Sequence, residues 1–428
     1  MTLTHIRNCF VIPFLVAIAV AARAGAPASA SNPTRPRDLN GNESWVGSWA
    51  APQQIPEPQN AVPTAQLNNA TLRQIVHLSV GGPAIRVRIS NAFGTAPLHV
   101  MAVHVARPSS PASSRLESDS DRGVTFDERT DLLIPPGAEY TSDPLKYPVA
   151  PLSDLAITMQ IEAAPGQETG HPGSRATSYL ASGVSVSAPE LPAAQSIEHW
   201  YFLSGVEVAA VPGASAIVAL GDSITDGHGA TTNGNDRWPD DLAARLQRAA
   251  ATKEIAVLNE GIGGNRLLAD GLGPNVLARV DRDVIAQSGV RYLIVLEGIN
   301  DIGNLTRTSV ATQAQHEDLV RRMIGAYRQI TLRAHAHGIK VIGGTIMPFA
   351  GSEFYHPGAS NEFDRQTVNA WIRAPGHFDA VVDFDRIMAD PAHPDHLRPE
   401  YDCGDHLHPS PAGFRAMAEG IALELFER

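Results

Sequence analysis

Cysteine is nearly absent: the 428 residues contain 2, Cys9 and Cys403. Cys9 falls within an N-terminal apolar segment of the targeting kind, so removal of that segment leaves Cys403 alone. No disulfide can then form within the chain, and the fold must rest on its core. Cys9 opens the apolar run instead of following it, which argues against a lipid-modified terminal cysteine. Cys403 reads as a small filler rather than a nucleophile. Basic charge is also short, with 33 Lys and Arg against 45 Asp and Glu and a net charge of -12. That excludes an electrostatic nucleic-acid binder, which needs a basic stripe to displace counterions. It also disfavours docking to an anionic membrane. No internal repeat, phosphate loop or dinucleotide fingerprint is present; Gly261-Ile-Gly-Gly264 follows an apolar run but lacks the spacing.

Residues 1–30 read as a signal peptide. Arg7 supplies the positive region, Phe10 to Ala22 the apolar core, and Ala28-Ser29-Ala30 a small-residue cleavage pattern, with a second possible cut after Ala24. The apolar run is too short to span a bilayer comfortably, so no stable membrane insertion is expected. The expected location is secreted or periplasmic. Residues 31–44 read as a flexible leader.

The remainder divides by rhythm. From 45 to 211, short alternating runs such as Ile85-Arg-Val-Arg-Ile89 and Leu155-Ala-Ile-Thr-Met-Gln-Ile161 are separated by Gly, Pro, Ser and Asn. Period-two alternation of this kind predicts antiparallel strands in an all-β sandwich or jelly-roll-like domain. From 212 to 428, apolar strand candidates at 217–220, 255–258, 292–296, 341–345 and 380–384 alternate with helical segments at 239–250, 276–287, 315–337, 361–373 and 411–426. Alternation of strands and helices means a parallel sheet covered on both faces. Five strands suit an α/β fold of the flavodoxin-like, three-layer α/β/α kind.

The chemistry gathers at strand ends. Ser223, in Gly221-Asp-Ser-Ile224, follows the apolar run Ala216 to Leu220, at the carboxyl end where open α/β sheets place reactive groups. Serine needs a neighbouring base. His408 in Asp405-His-Leu-His408 is the candidate, and Asp405, three residues before it, can orient the imidazole. His406 is the rival base, although its adjacency to Asp405 points it elsewhere. Oxyanion donors are offered after two further strands, by a glycine in Asn259-Glu-Gly-Ile-Gly-Gly-Asn265 and by the amide of Asn300. Asp226, His228, Arg237 and Trp238 are candidates for the alcohol side of a substrate pocket, Arg266 for an anionic or sugar group, and Asp301 for a brace of the Asn300 loop. His393-Pro-Asp-His396 and the 405–408 segment are rich in metal-ligand types, but the second serves a triad better, and no metal or cofactor is expected. Asp119-Ser-Asp121 lacks a full calcium-loop pattern.

Taken in this order, the segments resemble the blocks of the GDSL or SGNH hydrolase superfamily, over about residues 211–428. Gly221-Asp-Ser-Ile224 resembles the first block, with Ile224 in place of the usual leucine. Gly264 matches the glycine of the second, Gly298-Ile-Asn-Asp301 the third, and Asp405-His-Leu-His408 the fifth. The resemblance implies Ser223 as nucleophile, His408 as base and Asp405 as its orienter. It further implies an oxyanion hole made by the backbone N–H groups of Ser223 and Gly264 and the side-chain amide of Asn300. The expected activity is carboxylic-ester hydrolysis on short acyl or acetyl esters, with a small molecule or polysaccharide as partner and no cofactor. A lipase or lysophospholipase on the same machinery, an acyltransferase, and a glycan-binding module with a vestigial site are the alternatives. Trp45, Trp49, Trp200 and Tyr201 are either glycan-stacking residues or, preferably, core aromatics that cement the two domains.

Overall fold

The computed structural model describes residues 44–211 and 213–427. The expected signal peptide and all of the expected leader but Ser44 lie outside them. Among the described residues, no helix is long and apolar enough to cross a membrane.

The alternating runs of the first part form two antiparallel sheets. The smaller has the order Ser44–Ala50, Leu203–Ala210, Ile85–Ser90, Glu139–Thr141. The larger centres on Ala70–Leu78, Ser153–Ala163 and Leu98–Ala106, paired side by side. Val46, Val87 and Val206 of the first sheet join Leu72, Val103 and Met159 of the second in one buried cluster, as two inward faces of a sandwich do. A smaller cluster, with Ile75, Ala156 and Tyr179, fills the opposite face of the larger sheet.

The second part is a five-stranded parallel sheet of Ser215–Gly221, Ile255–Gly261, Val290–Leu296, Lys340–Gly344 and Ala380–Val382. Counted along the chain, the spatial order is 2-1-3-4-5, the flavodoxin-like doubly wound order. Ala216 to Leu220 are completely buried, as a central strand covered on both faces requires. The long helices Trp238–Arg248, Gln313–Ala336 and Ala359–Arg373 pack around it.

Several boundaries differ from expectation for local reasons. Phe384, placed in the last strand, instead starts the short helix Phe384–Met388, capped by the Asp383 side chain. The helix expected over 276–287 is α-helical to Val280 and then widens into a π turn at Asp281–Ile285, where Arg279 reaches the buried Asp283 carboxylate at 3.0 Å. The last helix stops at Glu419, before Gly420, and a single 3-10 turn follows at Leu423–Leu425.

The two parts share a core. Val46 and Trp49 lie in the same buried cluster as Leu258, whose side chain fills the space a Cβ on Gly47 would take. Polar bonds cross the same boundary: Gly47 N–H to Ser288 O at 3.0 Å, Val257 N–H to Ser79 Oγ at 3.1 Å, and Gln54 Nε2 to Leu272 O at 2.7 Å. Trp49 and Trp200 meet edge to face at 4.8 Å, both buried, as does Tyr201. These three aromatics are core, and Trp45 lies beneath the Arg86 guanidinium at 4.0 Å.

Candidate active site

Ser223 begins a single helical turn, Ser223–Asp226, directly after the first parallel strand. The turn is tight because Gly221 has no side chain: a Cβ there would lie 2.2 Å from Thr225 Oγ1 and 2.6 Å from Leu296 O. Asp222 caps the turn by accepting from Ile224 N–H at 3.0 Å. Ser223 Oγ lies 2.8 Å from His408 Nε2, and His408 Nδ1 lies 2.6 Å from Asp405 Oδ2. The three groups form a continuous hydrogen-bonded line across 185 positions of sequence.

Asp405 is fixed by its own loop, accepting from Leu407 N–H at 3.0 Å and His408 N–H at 2.8 Å. Partial burial works against its charge. The hydrogen bond and charge of His408, with those two N–H groups, outweigh it and hold the carboxyl well below its usual range. His406, with φ +58, also lines the cavity but directs its Nδ1 to Asp402 Oδ2 at 2.6 Å. The rival base is thereby occupied elsewhere.

Ser223, Gly263, Gly264, Asn300 and His408 line one open cavity of about 700 Å³. Among the described hydrogen bonds, neither Ser223 N–H nor Gly264 N–H is spent on another protein group. Gly264 has φ +67, a conformation side chains resist, with Leu272 also within 3.3 Å of where a Cβ would stand. Asn300 is the second residue of the helix Ile299–Thr306. Its Nδ2 donates to Asn265 O at 2.8 Å, and its Oδ1 accepts from Tyr355 Oη at 2.5 Å. Asp301 accepts from Leu267 and Leu268 N–H at 2.8 and 3.1 Å, tying the glycine loop to this helix. Burial pushes the Asp301 carboxyl up to about 6, against those two N–H groups.

Of the pocket candidates, His228 lines the cavity; its ring centroid is 4.1 Å from that of His408. Burial first, then the His408 and Arg175 charges, lower its imidazole to about 4, so it is neutral at pH 7. The others stand elsewhere. Trp238 is fully buried and packs on Phe384 at 5.8 Å, because it starts the helix whose apolar face covers the sheet. Arg237 is buried in an ion pair with Asp240 at 2.6 Å. Asp226 points away from the cavity to His171, 2.8 Å distant. Arg266 hydrogen-bonds Asp270 O and is not on the cavity wall. His393 and His396, weighed as metal ligands, pair instead with Asp390 and Asp395.

Leu272, Glu353, Phe354 and Tyr355 also line the wall and were not anticipated. The last three follow the fourth parallel strand, so they too stand at a carboxyl end. That position was the available signal, masked by the weak local pattern of Gly351-Ser-Glu-Phe-Tyr355.

Residues 219–416 match the GDSL-like Lipase/Acylhydrolase family. The protein is thus a carboxylic-ester hydrolase. Its α/β domain, over those residues, belongs to the GDSL-like lipase/acylhydrolase family. Similar solved structures include a G-D-S-L family protein from Desulfitobacterium hafniense, at 19% identity, covering 48% of this chain and 97% of that one, with a TM-score of 0.37. A GDSL-like lipase from Bacteroides thetaiotaomicron is 20% identical over 49% of this chain and 86% of that one, TM-score 0.36. An acetylxylan esterase from Geobacillus stearothermophilus is 21% identical over 48% and 91%, TM-score 0.36. No curated protein matches the chain.

Proposed function

We propose that the protein hydrolyses short acyl or acetyl esters of carbohydrates through an acyl-enzyme on Ser223. The observation that carries this reading is the hydrogen-bonded line from Ser223 through His408 to Asp405, open to the cavity. His408 Nε2 takes the Ser223 proton as Oγ bonds to the acyl carbon. Asp405 accepts from Nδ1–H, fixing the tautomer and stabilising the imidazolium. The negative charge on the former carbonyl oxygen meets Ser223 N–H, Gly264 N–H and the free Asn300 amide hydrogen. The ester C–O bond then breaks, and His408 returns its proton to the leaving alcohol. Water, losing a proton to the same nitrogen, attacks the acyl carbon and frees Ser223.

A cavity of about 700 Å³ far exceeds an acetyl group and leaves room for a sugar-sized alcohol. Phe354, half-exposed on its wall with Arg307 over its ring at 3.8 Å, stands beside Glu353, whose carboxylate can accept from a hydroxyl. The exposed Leu272 and Phe354 also favour a second reading, a longer acyl chain as in lipases and lysophospholipases. Hydrolysis of p-nitrophenyl esters from acetyl to decanoyl separates the two. Acetyl is expected to be fastest, and Ser223→Ala to remove essentially all turnover. A maximum at octanoyl favours the second reading, and turnover surviving in Ser223→Ala would end both.

A further inference from the structure

Three residues of the β part bond to the α/β part close to the active site. Gln54 donates to the carbonyl of Leu272, Arg175 Nη2 lies 3.3 Å from His228 Nδ1, and His171 meets Asp226. The third contact has the most consequence. His171 and Asp226 are both buried, with side chains 3% and 4% exposed. His171 Nδ1 is 3.1 Å from Pro52 O. Its Nε2 is 2.8 Å from Asp226 Oδ1. The other oxygen, Oδ2, accepts from Gly263 N–H at 3.1 Å. Asp226 is also the last residue of the turn that carries Ser223, and its own N–H bonds back to Asp222 O at 2.9 Å.

One carboxylate therefore joins three things: the nucleophile's turn, the glycine loop and the β part. Nothing in this arrangement suggests a ligand site, since the void beside the pair is about 20 Å³, room for roughly one water. The surrounding contacts all hold this junction shut. Gly173 packs so closely on Asp226 that a Cβ there would lie 1.9 Å from Oδ2. Arg237 donates to Ser174 O at 3.3 Å, and Asn233 accepts from Thr177 N–H at 2.8 Å.

We propose that His171 is a positioning residue for ester hydrolysis. By holding Asp226, it fixes the Gly263 peptide and with it the neighbouring Gly264 N–H that meets the developing oxyanion. The inference rests on the proposed roles of Ser223 and Gly264. It gives the β part a role in the chemistry that requires no glycan binding. An oxyanion donor acts mainly in the transition state, so its displacement lowers kcat more than it raises KM.

The test measures kcat and KM on p-nitrophenyl acetate, with thermal unfolding as a check of fold. His171→Leu and Asp226→Ala are each expected to lose about tenfold to a hundredfold in kcat, with KM little changed. The double variant should fall no further than Asp226→Ala, because both changes break one link. His171→Gln, whose amide can still donate to Asp226, should recover most of the loss. Wild-type kcat in a folded His171→Leu, or losses that multiply in the double variant, would overturn the inference. If His171→Leu does not fold, His171→Gln and Asp226→Ala decide: Asp226→Ala at wild-type kcat, or His171→Gln as impaired as Asp226→Ala, defeats it. Ser223→Ala runs alongside. Full turnover there removes the underlying site assignment, whereas an inactive Ser223→Ala beside a fully active His171→Leu removes this inference alone.

Discussion

Asn300 is held on both sides of its amide, by Asn265 O and by the Tyr355 hydroxyl, so one amide hydrogen is aimed without freedom to rotate. A donor fixed before the reaction needs no reorganisation when charge appears. Asn300→Ala should therefore lower kcat/KM by about 3 kcal/mol of transition-state stabilisation. Tyr355→Phe leaves the donor in place but frees its orientation, and should cost about 1 kcal/mol, the worth of one hydrogen bond. Both follow from kcat/KM for p-nitrophenyl acetate; a Tyr355→Phe enzyme equal to wild type would show that Asn265 alone orients the amide. At this scale the sequence was informative wherever a motif marked a residue that the fold brings to the cavity, as at Ser223, Asn300 and His408. It was silent on Tyr355 and His171, because a hydroxyl or imidazole acting across 55 positions of sequence leaves no local pattern.

Among the elements, the helix Gln313–Ala336 shows how a start signal works. Thr312 accepts from Gln315 N–H, while Gln315 Oε1 accepts from Thr312 N–H at 2.8 Å, a reciprocal cap that satisfies two otherwise orphan donors. Thr312→Ala should cost about 1 kcal/mol of stability in urea unfolding and leave ester turnover unchanged. An unshifted midpoint would mean that packing of this helix makes the cap redundant. The five parallel strands were legible because each is a short apolar run between helical segments, and the period-two runs of the first part gave away the sandwich. The helix Ile299–Thr306 was not. It opens after Gly298, at φ +110, and contains Gly303, so its local pattern is that of a turn. Only tertiary packing, with Tyr355 occupying the space beside Gly303, makes it helical. The end of the last helix was misjudged for the opposite reason, since the apolar pattern continues past Gly420 while the backbone does not.

For the molecule as a whole, the group of acids under the site carries a pH signature. Glu297 is fully buried, neither carboxyl oxygen has a hydrogen-bond partner among the described residues, and burial followed by the nearby Asp222 charge raises its pKa well above 4.5. A carboxyl whose pKa is raised on folding holds its proton more tightly in the native state. Its contribution is complete below about pH 4.5 and declines as the pH climbs toward the raised value. Glu297→Gln removes that decline, so Tm measured between about pH 5 and 9 should fall less steeply in the variant than in the wild type. Parallel profiles would mean that Glu297 titrates alike in the folded and unfolded chains.

The separation of Ser223 from His408 by 185 positions has a consequence for how the chain comes into being. Synthesis proceeds from the N-terminus, so on the proposed mechanism the ribosome delivers the nucleophile, its glycine loop and all five parallel strands before the imidazole. Until then the serine is an ordinary alcohol. The hydrolytic power of the finished molecule is withheld from the unfinished one by the order of its parts, with no propeptide or inhibitor needed for that interval.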